Sequence, residues 1–166
     1  MPSATPGSDN RVVRVCRLLN GRRVRYLLVG GVAANLHGSV RATKDVDVLV
    51  PKNVANATRL LDALAALPYR IAAELDPQEI VRKPFTIVGD DPRVDILTVA
   101  GSLSFEQAWP NRLVRRVEGT RIPFVGLDDL MLSKRTGRPS DDADLHVLQQ
   151  LRSARASSRQ SPRRRS

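Results

Sequence analysis

An apolar run at residues 26–29 ends in Gly30-Gly31. After 13 intervening residues comes Asp45-Val46-Asp47, which runs into apolar residues 48–50. No other segment constrains the fold as much. Side chains alternate across a strand, so acids at i and i+2 point the same way. Two carboxylates held that close repel unless a positive charge lies between them. Oxygen-only ligands select a hard divalent cation, Mg²⁺ or Mn²⁺. A glycine pair between a strand and a helix lets the backbone approach a phosphate, with helix N–H groups aimed at it. Together these features point to chemistry on a nucleoside triphosphate. The plainer alternatives are a tight turn at the glycines and solvent-facing acids on an edge strand.

The chain of 166 residues has the size of one domain. Aromatic residues make up only 4%, so the core is expected to be aliphatic and base-stacking platforms few. Cys16 is the one cysteine; it excludes an intrachain disulfide and reads as a small buried hydrophobe. No apolar run of about 18 residues is present, and residues 1–10 carry no basic-then-apolar leader. The expectation is a cytoplasmic protein without membrane contact. The net charge of +10 is uneven. Six arginines and no acid lie in residues 152–166, and six more arginines lie in residues 11–25. Such patches attract phosphate polymers. For the tail, a solvated segment with no partner is the competing reading.

Residues 1–10 and the Arg/Ser-rich tail 152–166 are expected to be disordered, leaving 11–151 as the folded domain. Residues 11–19 read as an amphipathic helix with Val12, Val15, Cys16 and Leu19 on one stripe. A strand at 25–29, a short helix at 31–36 and a strand at 45–50 follow. Residues 53–67 form a helix with Asn53 as N-cap and Leu60, Leu61, Leu64 and Leu67 on its apolar side. Strands at 85–88 and 94–99 flank a turn at Asp90-Asp91-Pro92. A helical turn at 104–108 precedes a hairpin, 113–117 with 122–125, around Glu118-Gly119-Thr120. Helices 127–134 and 140–151 close the domain, with Ser140 as N-cap and Asp141 and Asp142 in the first turn. The order predicts an α+β fold: a small mixed β-sheet flanked by helices, with those helices on one face.

The glycine pair followed by Asp45-x-Asp47 resembles the nucleotidyltransferase superfamily that includes DNA polymerase beta. A finer pattern, Gly30-Gly31-x-Ala33, His37-Gly38 and Arg41-x-Thr43-x-Asp45-x-Asp47, resembles the abortive-infection type E toxin branch of that superfamily. Lys134, Arg138, Asp141 and Asp144-Leu145 are similar to the Lys…Arg-x-x-Asp-x-x-Asp-Leu ending of the same branch.

The resemblance implies a polymerase beta-like fold and transfer of a nucleoside monophosphate from an NTP to an acceptor. It implies Asp45 and Asp47 as ligands of Mg²⁺ or Mn²⁺, and a third carboxylate on a neighbouring strand. Asp95 fits that place, since a lone acid in an apolar strand is otherwise unfavourable. A structural salt bridge is the alternative for Asp95, which as a site residue can also act as general base. The resemblance further implies Gly30, Gly31, Arg41, Thr43, Lys134 and Arg138 as nucleotide-binding residues. Lys134 and Arg41 are candidate clamps on phosphate oxygens. Arg138 can serve likewise or pair with Asp144, a supporting residue. His37, before Gly38, reads as a structural loop residue rather than a ligand. The acceptor the basic charge favours is RNA, such as a tRNA 3′ end, and a cognate antitoxin protein is an implied partner. Modification of a protein or small molecule, and a non-catalytic nucleic-acid-binding module, remain alternatives.

Overall fold

Tyr26 and Leu28 pack into one apolar cluster, Leu27 and Val29 into another, because successive side chains of a strand leave on opposite faces. The computed structural model describes residues 10–40 and 42–160; expectations for residues 1–9, Arg41 and 161–166 lie outside the described residues. Its strands are β1 (Leu27–Val29), β2 (Val46–Leu49), β3 (Phe85–Val88), β4 (Val94–Leu97), β5 (Val99–Ala100), β6 (Leu103–Ser104), β7 (Leu113–Val117) and β8 (Thr120–Phe124). Among the described residues, six of them form a mixed sheet of order β3-β4-β2-β1-β8-β7, and β5 and β6 pair as a small ribbon. β1 runs antiparallel to β2 and parallel to β8; β2 runs parallel to β4.

Helices cover both faces rather than the one that the element order suggested. Helix α1 (Arg11–Gly21) and helix α3 (Val54–Leu64) contribute to the cluster that takes Leu28, Val48 and Ile96. Helix α2 (Gly30–Leu36), helix α6 (Leu127–Ser133) and helix α7 (Pro139–Gln160) contribute Ala33, Leu130 and Leu148 to the cluster of Leu27 and Leu49. The inner strands are apolar on both sides, so each side needs cover.

Local chemistry explains most boundaries. Asn53 caps α3, its side chain accepting from the Asn56 N–H. Leu60, Leu61, Leu64 and Leu67 are all buried as the periodicity implies, each stabilising by roughly 1.5–3 kcal/mol. On α1 the buried set is Val13, Val15, Cys16 and Leu19, with Val12 only half-buried. Burial pushes the Cys16 thiol up to about 11, which makes it an inert core group. β1 starts at Leu27 because the Arg25 backbone bonds instead to buried Asn56, which accepts from Arg25 N at 2.7 Å and donates to Arg25 O at 3.0 Å. The expected strand 94–99 breaks at Thr98, whose hydroxyl donates to the Lys83 carbonyl at 2.7 Å. The hairpin turn is the pair Glu118-Gly119, both at positive φ (50° and 74°), which matches the twist of the flanking strands. Helix α7 begins at Pro139, a favoured first helical residue, so Ser140 lies inside it. The helix also continues to Gln160, so 152–160 is helical.

Helix α5 (Phe105–Ala108), capped by Ser104, is the helical turn expected at 104–108, but helix α4 (Pro77–Arg82), capped by Asp76, was not foreseen from the sequence. Neither was the corner before it. Arg70 sits in the left-handed region (φ 53°), and the Asp90 carboxylate spans it. Asp90 accepts from Tyr69 N at 2.9 Å, from Ile71 N at 3.2 Å and from Asp91 N at 2.7 Å. Burial pushes the Asp90 carboxyl up, but these N–H bonds outweigh it and hold the group below its usual range. Asp90→Ala is expected to destabilise the fold by about 1–3 kcal/mol at neutral pH. A depressed folded pKa gives stability that is present above the unfolded carboxylate value and is lost as pH falls through the folded one. The gap between parent and variant in urea unfolding should therefore close below about pH 4. A gap that persists unchanged into stronger acid would rule the account out.

Candidate active site

Three strand ends meet where the acids lie. In the antiparallel pair Val29 stands opposite Asp47, and in the parallel pair Asp47 stands opposite Asp95. Neighbouring strands are roughly 4.8 Å apart, so the Asp47 and Asp95 side chains leave one face side by side. Asp45, two residues before Asp47, joins them on that face. Asp95, nearly 50 residues further along the chain, is thus brought beside Asp45 and Asp47 by the β2–β4 register.

Gly30 follows Val29 directly, at φ 66°. A Cβ there would lie 2.1 Å from Asp47 Oδ2. A Cβ on Gly31 would lie 3.0 Å from Thr43 Oγ1, and the Thr43 hydroxyl in turn donates to the Asp45 carbonyl at 3.3 Å. The glycine pair is therefore needed first for the close approach of the two acid-bearing segments, whatever else it admits.

Burial, then the charges of Asp95 and Asp45, push the Asp47 carboxyl up to about 6, against the opposing pull of Lys134 and Arg93. The cluster is thus short of positive charge at its centre. Arg93 supplies some at its edge. Its guanidinium donates to both Asp95 oxygens, at 2.8 and 3.2 Å, and its Nε lies 3.8 Å from Asp45 Oδ2. Arg93 was missed in the sequence; a cation two residues before Asp95, at the mouth of its strand, was the available signal. As the side chains stand, no three His, Cys, Asp or Glu groups among the described residues converge to hold a metal ion, and Arg93 engages two of the acids. The donor set itself, three carboxylates with a charge deficit, fits a hard divalent cation.

Lys134 caps the end of α6. Its Nζ lies 3.1 Å from Asp144 Oδ2 and 3.6 Å from Asp141 Oδ1. Arg138 pairs with Asp141, Nε to Oδ2 at 2.8 Å, rather than with Asp144. Asp141 also accepts from the Thr136 hydroxyl. It is 5% exposed; burial raises its carboxyl, but Thr136, Lys134 and Arg138 outweigh that and hold it low. Asp141 is thus the hub that holds Lys134 and Arg138, not a simple helix-end acid. Arg41 lies outside the described residues.

His37 is structural, as expected. It is buried, its Nε2–H donates to the Val125 carbonyl at 2.8 Å, and its ring meets Phe124 edge-on at 5.2 Å. Arg155 donates to His37 Nδ1 at 3.2 Å and to its carbonyl at 2.8 Å. Burial, with Arg155 and Arg115, lowers the imidazole pKa, consistent with a neutral ring. Arg155 belongs to the stretch that composition assigned to the tail.

The family-level comparison fits this geometry. Residues 12–153 match the model of a family described as "Nucleotidyltransferase of unknown function (DUF6036)". The chain belongs to that family. A solved structure that resembles this fold is an antigenic nucleotidyltransferase-like protein from Paracoccidioides brasiliensis. The two align at a TM-score of 0.52 and 15% identity, over 91% of this chain and 87% of that one. At that identity the likeness is one of fold. No curated protein matches. The nucleotidyltransferase superfamily and the mixed α+β fold are thereby established for the chain. Among the described residues no helix is long and apolar enough to cross a membrane.

Proposed function

We propose that this family member is a divalent-metal-dependent enzyme of the cytoplasm that transfers a nucleoside monophosphate from an NTP to RNA. The observation that carries the reading is the in-register pair Asp47 and Asp95, with Asp45 beside them and Gly30 against Asp47. Asp45, Asp47 and Asp95 would hold Mg²⁺ or Mn²⁺, with Arg93 released from the acids. When bound, such an ion neutralises charge on the triphosphate and favours ionisation of the attacking hydroxyl. Asp95 accepts the proton of the acceptor hydroxyl. That oxygen bonds to the α-phosphorus, and the bond to pyrophosphate breaks. Lys134, held in place by Asp144 and Asp141, directs its ammonium toward phosphate oxygens, with Arg138 and Arg41 as further cations. Gly30, Gly31 and Thr43 shape the backbone beside the triphosphate.

The toxin branch is the setting this reading favours, with a cognate antitoxin as partner. Its support is the Lys134, Arg138, Asp141 and Asp144 pattern, whose members form one ion-pair network. Incubation with each labelled NTP, Mg²⁺ and total RNA is expected to label RNA, and Asp47→Asn is expected not to. If no label reaches RNA while an added protein or aminoglycoside is labelled, the acceptor claim falls. If nothing is labelled and Asp47→Asn binds RNA as the parent does, without response to NTP or Mg²⁺, the enzyme claim falls as well. Induced expression tests the setting: growth arrest with the parent and none with Asp47→Asn.

A further inference from the structure

The hairpin β7–β8 carries like charges where a sheet ordinarily avoids them. Arg116 and Arg121 stand directly opposite each other in the register, as do Val114 and Pro123 on the same face. Like charges in direct cross-strand pairing are destabilising, and no described acid lies within ion-pair distance of either. Four more arginines, Arg17, Arg23, Arg25 and Arg112, line the same open cleft of about 820 Å³, and Glu118 is its one carboxylate. All six arginines are exposed, and none makes a salt bridge with a described residue. Arg17 and Arg112 are oriented by neutral partners. Arg17 Nε donates to Thr120 Oγ1 at 3.0 Å, and Arg112 donates to the Trp109 carbonyl at 2.9 Å.

The cleft also holds a flat, layered wall. The Arg112 guanidinium lies over the Trp109 ring at 3.8 Å, and Trp109 stacks on Phe105 with centroids 5.1 Å apart and planes 28° apart. The Arg25 guanidinium sits 5.2 and 5.3 Å from the two rings. With 4% aromatic residues, the chain places its one tryptophan here. A guanidinium plane backed by an indole is a seat for a nucleobase, and the arginines around it suit a phosphate backbone. An acidic peptide would satisfy the cations but would leave this plane without a partner. Arg25 stands just before β1, and Asp47 stands across from Val29, the last residue of β1. The cleft therefore lies at one end of β1 and the acid cluster at the other, roughly 13 Å apart along the strand.

We propose that this cleft is a binding groove for a single-stranded polynucleotide. It deepens the transfer reading by naming the surface that receives the acceptor, and it rests on that reading only for the direction of the strand toward Asp95. The test is fluorescence anisotropy of the full chain with labelled oligo(U) and oligo(dT) of about 12 nucleotides, a length within reach of one such groove. The titration is run at several salt concentrations, with the triple variant Arg112→Ala/Arg116→Ala/Arg121→Ala beside the parent. The variant is expected to bind about tenfold or more weakly, and its salt slope should fall by about 2. Its circular dichroism should match the parent, since all three side chains are exposed. Trp109→Leu should weaken oligonucleotide binding with the salt slope unchanged, a loss that a purely ionic surface would not show. Unchanged affinity in the triple variant would overturn the proposal, as would polyglutamate displacing the oligonucleotide at equal charge concentration. Tighter binding of oligo(U) than of oligo(dT) supports an RNA acceptor; the reverse overturns that assignment and leaves the groove standing. Asp47→Asn is expected to bind oligonucleotide as the parent does while transferring nothing, so either claim can fail without the other.

Discussion

Asp47→Asn is expected to reduce nucleotidyl transfer by about 10³-fold or more, because the variant loses the central carboxylate of the proposed metal-binding set while keeping its shape. The same substitution is expected to raise thermal stability in the absence of divalent ions. Asp47 is half-buried beside Asp95 and Asp45, and its neutral isostere removes that repulsion. The two effects have opposite signs, which separates them from general damage to the fold. Mg²⁺ should raise the Tm of the parent and have little effect on the variant. Single-turnover assays and a melting series with and without Mg²⁺ measure both. A variant that melts lower than the parent under all conditions would remove the charge-crowding account. A variant with parental turnover would remove the catalytic one.

Gly30→Ala is expected to damage the acid cluster strongly for a single added methyl group. The new Cβ would meet Asp47 Oδ2 at 2.1 Å, and the residue would keep a φ of 66° that alanine adopts poorly. The backbone penalty is about 1–2 kcal/mol. Relief of the contact must displace either the carboxylate or the start of α2. A displacement of about 1 Å at a reacting centre lowers rate by about 10²-fold. The expected result is a loss of about 10²-fold or more in transfer with a lower Tm. In an Asp47→Ala background the added Tm loss from Gly30→Ala should shrink to the backbone part. Equal losses in both backgrounds would show that the glycine does not serve Asp47.

The acid cluster was legible in the sequence for a physical reason. Period-two alternation places Asp45 and Asp47 on one face without any knowledge of the partner strand. The reason for the glycines was only half legible: a positive φ and a tight corner follow from Gly-Gly, but contact with an acid 17 positions onward does not. Arg93 was readable as the cation nearest Asp95 in sequence, and was overlooked. What lay beyond local pattern were partners far apart in the chain. His37 and Arg155, separated by 118 positions, turn part of an apparent low-complexity tail into an ordered helix. Asn56, which holds the Arg25 backbone, reads locally as an ordinary polar helix residue. The Asp90 corner was hidden likewise, since its carboxylate serves N–H groups some 20 positions earlier. The single-faced layering failed because element order does not report which side a crossover takes.

The contact between Gly30 and the Asp47 carboxylate has a consequence for lineages descended from this chain. Where position 47 keeps its acid, any side chain at position 30 must displace it. Once a descendant has replaced the acid by a smaller neutral residue, the steric demand on position 30 lifts and only the backbone preference remains. The two sites are then expected to decay in a fixed order, the acid first and the glycine after it. A relative with both altered is expected to have no transfer activity, whereas one with the glycine alone altered should be rare.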